Sequence, residues 1–236
     1  MKRFIFSIAV LALLCFSASA QNKFNGPVTP GQQMPSFSLP TYQGSDFNLD
    51  SYKGKNVVLI FLRGLVEKGH WCNICHYSYV QLADYESRMQ LRKKYNTEFA
   101  FVLPYDKDTA KYWVSIFPEQ LKVVEGWKNP AEPEKLSEGG KRWMEMARNL
   151  FPVKYEVDPK NIQTPFPIII DADKSLSKGL GLFTMKFDKT EAPQNIPCVY
   201  IIDKSGKLVF KYLSQNTIDR PSYDYLITVF DKFLTK

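Results

Sequence analysis

Trp71-Cys72-Asn73-Ile74-Cys75-His76 is the stretch on which the reading of this chain turns. It sets two thiols three positions apart. Downstream, Cys75, Tyr79, Leu82, Tyr85 and Met89 recur at helical spacing, so an amphipathic helix is expected from Cys72 to about Tyr95. Cys72 then stands at the helix start. Backbone N–H groups and the helix dipole stabilise a sulfur anion there. The thiolate is the species that attacks a disulfide, so Cys72 is the expected nucleophile. Cys75, one turn inside, is the expected resolving thiol. Trp71 would shield the pair and offer a flat contact surface. The plain alternative is a structural disulfide, but a bridge closing so short a loop constrains the unfolded chain little.

Working outward, Val57 to Leu62 is a continuous, branched apolar run after Lys53-Gly54-Lys55, the pattern of a buried central strand. Before it, Ser36-Phe37-Ser38-Leu39 and Asp46-Phe47-Asn48-Leu49 alternate around Gly44 as a hairpin. After the cysteines, Glu98 to Leu103 reads as a second buried strand and Thr109 to Phe117 as a helix ending before Pro118. Residues 119–164 are rich in proline and mixed charge. They read as an insertion with one helix over Ser137 to Leu150, too short for its own core. Phe166 to Ile170 is a strand and Lys174 to Leu180 a short helix. Val199 to Asp203 and Lys207 to Tyr212 flank Lys204-Ser205-Gly206 as a hairpin. Pro221-Ser222 opens a last helix over Tyr223 to Leu234. The order predicts an α/β fold with a mixed sheet flanked by helices, an N-terminal hairpin and a mainly helical insertion.

Residues 1–20 read as a secretory signal: Lys2 and Arg3, an apolar run from Phe4 to Phe16, and Ala18-Ser19-Ala20 as a cleavage site. Leu14 stands where lipid attachment at Cys15 needs a small residue, which argues against an anchor there. Residues 21–32 are polar and rich in Gly and Pro and read as a flexible tether. The domain proper is expected over 33–236. An exported, periplasmic location follows, without stable membrane insertion once the leader is cut. The net charge of +7 is spread among acids. It forms neither a basic helix nor an aromatic stripe for bases, so a nucleic-acid partner is not expected. Past the leader the cysteines are Cys72, Cys75 and Cys198. That count suits a working dithiol better than a disulfide framework. Cys198 reads as a buried small apolar residue.

These features in this order resemble the thioredoxin fold, in its exported redoxin and peroxiredoxin-like branch, the alkyl hydroperoxide reductase–thiol-specific antioxidant family. The resemblance rests on the strand Val57 to Leu62, the Trp-Cys-x-x-Cys opening a helix, the Ile196-Pro197 step before a strand, and the hairpin at Lys204-Ser205-Gly206. Arg63-Gly64 and Asp219-Arg220-Pro221 add to it. It implies a cis step at Ile196-Pro197, packed on the cysteines, whose backbone holds an extended substrate. It implies thiol–disulfide exchange with protein thiols or disulfides, small thiols or a redox partner protein, and no cofactor. His76 and Arg63 would tune the thiols. The chain departs from the peroxidase pattern. That branch has Thr or Ser three residues before its reactive Cys and Pro seven before, where this chain has Gly69 and Leu65. Peroxidase activity is therefore the second reading. Leu65 to Gly69 reads as an extra loop carrying Glu67 and Lys68 over the site. Cys72-Asn73-Ile74-Cys75-His76 also satisfies the c-type haem attachment pattern, with His76 as axial ligand. A zinc site from His70, Cys72, Cys75 and His76 is cramped for one tetrahedral ion. A binding module without catalysis is the remaining alternative.

Overall fold

The computed structural model describes Phe24 and residues 26–235. The expected leader and Cys15 lie outside the described residues. Strands β1 (Ser38–Pro40) and β2 (Asp46–Asn48) pair antiparallel as the expected N-terminal hairpin. Strand β3 (Asn56–Phe61) is buried at every position. The segment expected as a loop before the cysteines is instead a small hairpin, β4 (Leu65–Glu67) with β5 (His70–Trp71), turned at Gly69 with φ +82°.

Helix α1 (Asn73–Met89) follows, with Cys72 as its N-cap residue. It stops short of the expected Tyr95. Gln90 adopts the left-handed conformation (φ 50°, ψ 49°), and a separate turn, α2 (Leu91–Lys94), begins there. The Glu86 carboxylate accepts from the Arg92 backbone N–H at 3.0 Å and so caps the new start. The apolar period runs on through Leu91 and Tyr95 because both stay buried, which is why the pattern concealed the break.

Strand β6 (Thr97–Leu103) leads to α3 (Lys107–Ser115), capped by Asp106. Helix α4 (Phe117–Lys128) starts immediately after, with Pro118 in its first turn where no N–H is needed. Helix α5 (Glu138–Leu150) is capped by Ser137. The chain then returns without regular structure to β7 (Ile168–Ile170) and α6 (Ser175–Gly179). Two strands absent from the sequence reading come next, β8 (Phe183–Phe187) and β9 (Thr190–Asn195), paired antiparallel. Strands β10 (Cys198–Ile202) and β11 (Leu208–Leu213) and helix α7 (Tyr223–Phe233) complete the chain.

The central sheet has the order β11-β10-β3-β6-β7. Strands β3, β6 and β7 run parallel, and β10 is antiparallel to both β3 and β11. Side-chain alternation divides the core. Val58, Ile60, Phe101 and Ile201 face the layer built by α1, α4 and α7. Val57, Leu59, Val102 and Tyr200 face the N-terminal hairpin and α6. Each such burial contributes about 1.5–3 kcal/mol. Part of the expected tether belongs to this second layer. Gly31 N–H donates to the Leu208 carbonyl at 2.7 Å, Leu208 N–H donates to the Gln32 carbonyl at 2.9 Å, and Val28 is buried.

Candidate active site: a buried dithiol between two guanidinium groups

Cys72 and Cys75 lie at the C-terminal end of β3, where the parallel strands hand the chain to helices. Cys72 N–H donates to the Gly64 carbonyl at 2.8 Å, and Cys75 N–H donates to the Cys72 carbonyl at 3.0 Å. Both thiols are free, and they lie close enough to influence each other's ionisation. Both are also buried. Cys72 keeps 3% exposure and Cys75 none.

Two groups so close release their protons as a pair. Burial opposes an anion at Cys75. The hydrogen bond from Cys72, the Arg220 guanidinium and the backbone N–H groups of Gly64 and Arg63 outweigh it and bring that thiol down to about 6. Burial pushes Cys72 well up, and its bond to the Cys75 sulfur and that sulfur's charge add to this against Arg220 and Arg63. These surroundings favour one negative charge shared by the pair over two neutral thiols. Cys72, at the helix cap, is the less enclosed of the two residues.

Arg220 was noted in sequence only as part of a resembling tripeptide. Here its Nη2 approaches Cys72 Sγ at 3.9 Å, while Nη1 donates to the Asp219 carbonyl at 2.6 Å. Asp219 fixes the loop that carries it: its carboxylate accepts from Gln215 N–H at 2.7 Å, and its carbonyl from Ser214 Oγ at 2.6 Å. Arg63, 4% exposed, donates from Nε to Gln194 Oε1 at 2.6 Å and from Nη2 to Thr190 Oγ1. Neither guanidinium has a carboxylate partner among the described residues. A buried cation needs an anion nearby, and the dithiol supplies it.

Trp71 is 7% exposed, edge-on to Tyr105 at 5.4 Å and tilted against Tyr112 at 6.1 Å. It lies in the same buried cluster as the pair and is not the open contact surface expected. Tyr105, which sequence reasoning missed, accepts from Leu65 N–H at 2.7 Å and donates to the Pro193 carbonyl at 2.8 Å. It thereby ties the β4–β5 hairpin to β9. Its ring fits because Gly64 has no side chain: a Cβ there would lie 2.3 Å from Tyr105 Cε2. No local signal marks Tyr105, Gln194 or Thr190 as site residues, since the bonds that tie them to Arg63 and Leu65 span 40 or more positions.

The expected cis step at Ile196-Pro197 is corrected: there is no cis peptide bond among the described residues. Ile196 N–H donates to the Leu182 carbonyl at 2.7 Å, and the Pro197 carbonyl accepts from Ser214 N–H at 2.9 Å. These two groups are committed to the fold and are not free for an extended substrate. Pro197 nevertheless helps wall a cavity beside the dithiol.

His76 is fully buried, with Nδ1 3.1 Å from the Cys72 carbonyl and Nε2 3.0 Å from the Trp113 carbonyl. Burial lowers it to about 4, against the pull of both carbonyls. It supports the backbone of Cys72 from inside the fold. His70 is on the exposed hairpin, bonded to Glu67, away from the cysteines. No three metal-ligating side chains gather among the described residues. Cys198 sits in the core on the other face of the sheet from the dithiol, and burial pushes its thiol up.

Residues 30–116, from before the first hairpin to the end of α3, match the AhpC/TSA family. A cysteine-to-serine mutant of peroxiredoxin 6 from Arenicola marina superposes over 86% of this chain and 72% of its own, with a TM-score of 0.52 and 17% identity. Reduced 2-Cys peroxiredoxin from Plasmodium vivax covers 87% and 81%, with a TM-score of 0.52 and 18% identity. Peroxidoxin BcpB from Mycobacterium tuberculosis covers 87% and 98%, with a TM-score of 0.51 and 12% identity. At these identities the likeness is one of fold. No curated protein matches the chain.

Proposed function

With an AhpC/TSA-family match over residues 30–116 on a peroxiredoxin- and thioredoxin-like fold as the premise, we propose that the chain is an exported thiol–disulfide oxidoreductase that works through Cys72 and Cys75. The observation that carries this reading is the pair of free thiols one helical turn apart at the start of α1, with Arg220 on the outer sulfur. Cys72 attacks one sulfur of a partner disulfide and passes its proton to the Cys75 thiolate. A Cys72–partner disulfide forms, and the partner's other sulfur leaves as a thiolate. Cys75 then gives its proton to that leaving thiolate and attacks Cys72. The partner departs as one thiol and one thiolate, and the Cys72–Cys75 disulfide remains. Two electrons and the pair's one proton have moved, the remaining partner thiolate takes its second proton from water, and the sequence is reversible.

The test is equilibration in glutathione buffers. A reversible two-thiol transition is expected in the wild type, with mixed disulfides accumulating in Cys75→Ser and absent in Cys72→Ser. No exchange at either cysteine overturns the reading, and the reverse trapping pattern exchanges the two roles. Peroxide reduction is the second reading. It draws support from the two guanidinium groups beside Cys72, which would polarise a peroxide oxygen. It is weakened by Gly69 at the position of the expected hydroxyl. Rapid single-turnover oxidation by hydrogen peroxide, without exchange with disulfides, would put it first. Export rests on residues 1–20; a mature N-terminus at Gln21 in a periplasmic fraction tests it.

A further inference from the structure

Beside the dithiol lies a cavity of about 150 Å³ that the exchange step leaves unused. Ile74, the residue between the two cysteines, forms part of its wall. Tyr77 and Leu226 continue the wall on α1 and α7, and Leu150 and Phe151 close it from the end of α5. Arg220, the same side chain that approaches Cys72 Sγ at 3.9 Å, completes it. No Asp, Glu or Lys lines it. Leu150 at the mouth is 41% exposed, as is Val153 close by along the chain.

We propose that this cavity is a specificity subsite for one apolar side chain, Leu- or Phe-sized, that flanks the reacting cysteine in a polypeptide disulfide; the proposal rests on the exchange reading above. Three observations select this occupant. The volume matches a single benzene-sized group and falls below that of an ordinary pocket for a whole small molecule, roughly 300–1,000 Å³. The wall is mostly apolar and holds no acid or lysine, so it favours a hydrocarbon body, and its one charged side chain, Arg220, already approaches the Cys72 sulfur. One wall residue touches the attacking sulfur, so an occupant lies one side chain away from the exchanging bond. A peptide gains its flanking burial as its sulfur meets Cys72. Bonds and electrons move as in the exchange above: the peptide S–S bond breaks, the Cys72–S bond forms, and the leaving thiolate takes the proton.

The experiment compares glutathionylated peptides that differ in the residue beside cysteine, Leu or Phe against Gly, with the reduced full chain. The apolar peptides are expected to react roughly ten- to a hundredfold faster in kcat/KM, the range for burying one such side chain. Ser78→Phe, which fills the cavity from α1, and Leu150→Asp, which charges its exposed mouth, are each expected to bring that ratio close to one. Leu150 is exposed enough that the second variant folds even if the first does not. Equal wild-type rates for all peptides overturn the subsite and leave exchange standing. No reaction with any peptide overturns both. Should the apolar peptides keep their advantage in both variants, while a preference for an alkyl hydroperoxide over hydrogen peroxide is lost, the cavity belongs to a peroxide tail and the peptide assignment is overturned.

Discussion

A guanidinium 3.9 Å from Cys72 Sγ favours a sulfur anion in the pair over two neutral thiols. Because the pair loses its first proton at about 6, alkylation of the reduced protein should rise through pH 6 and level off by about pH 7. Arg220→Met removes the cation and keeps the bulk. The inflection is then expected to move up toward the ordinary thiol value of about 8.5. Iodoacetamide rates against pH check this, and an unchanged inflection would refute the role given to Arg220. His76 makes a separate prediction about stability. Its folded value, about 4, lies below the ordinary 6.5, so the unfolded chain binds the proton first. Stability is then full above pH 6.5 and falls as pH drops toward 4. The loss is about 3 kcal/mol at roughly 1.4 kcal/mol per pH unit. Urea unfolding at pH 7 and pH 4 measures it, and His76→Gln should remove most of the difference.

The elements near the site depend on one glycine. Gly64 has φ +81°, and its Cα faces the Tyr105 ring at a distance that leaves no room for a methyl group. Gly64→Ala meets both penalties at once and should cost at least about 2 kcal/mol. It should also release the β4–β5 hairpin, seen as faster alkylation of Cys72 despite lower stability. Slower or equal alkylation would mean that the hairpin is not the cover. The same region shows where sequence was and was not readable. Strand β3, helix α1 and the β10–β11 hairpin carry strong local signals: a branched run, a 3.6 period, and Asp203 accepting from Ser205 and Lys207 N–H around Gly206. Strand β9 was not legible, because Thr190-Glu191-Ala192-Pro193-Gln194-Asn195 has no alternation and, after Thr190, no branched or aromatic residue, and its place is fixed by distant partners such as Arg63 and Tyr105. Arg220 could be read as part of a motif. That it meets Cys72, 148 positions away, follows from topology alone.

Across the whole molecule, the segment 119–164 is sewn onto the sheet layer by tyrosines of α1 and the core. Tyr77 Oη donates to the Val153 carbonyl at 3.0 Å and accepts from Val153 N–H at 3.1 Å. Just past the segment's end, Tyr79 Oη does the same with Phe166 at 2.9 and 3.1 Å. Asn73, between the cysteines, donates to Gln120 Oε1 of α4 at 2.6 Å. Leu121, Val124, Ala147 and Phe151 share one apolar cluster with Val58, Phe101 and Ile168 of the sheet. A segment without a core of its own should not unfold by itself. The four tryptophans make this measurable. Trp127 and Trp143 pack edge to face within the segment at 5.4 Å, while Trp71 and Trp113 lie in the shared cluster. Tryptophan fluorescence and far-ultraviolet circular dichroism, which follows α1 and α7 as well, should give one coincident urea transition. A fluorescence midpoint clearly below the dichroism midpoint would mean that α4 and α5 form a unit that detaches first. In that case the cavity walled by Leu150 and Phe151 would open and close independently of the dithiol.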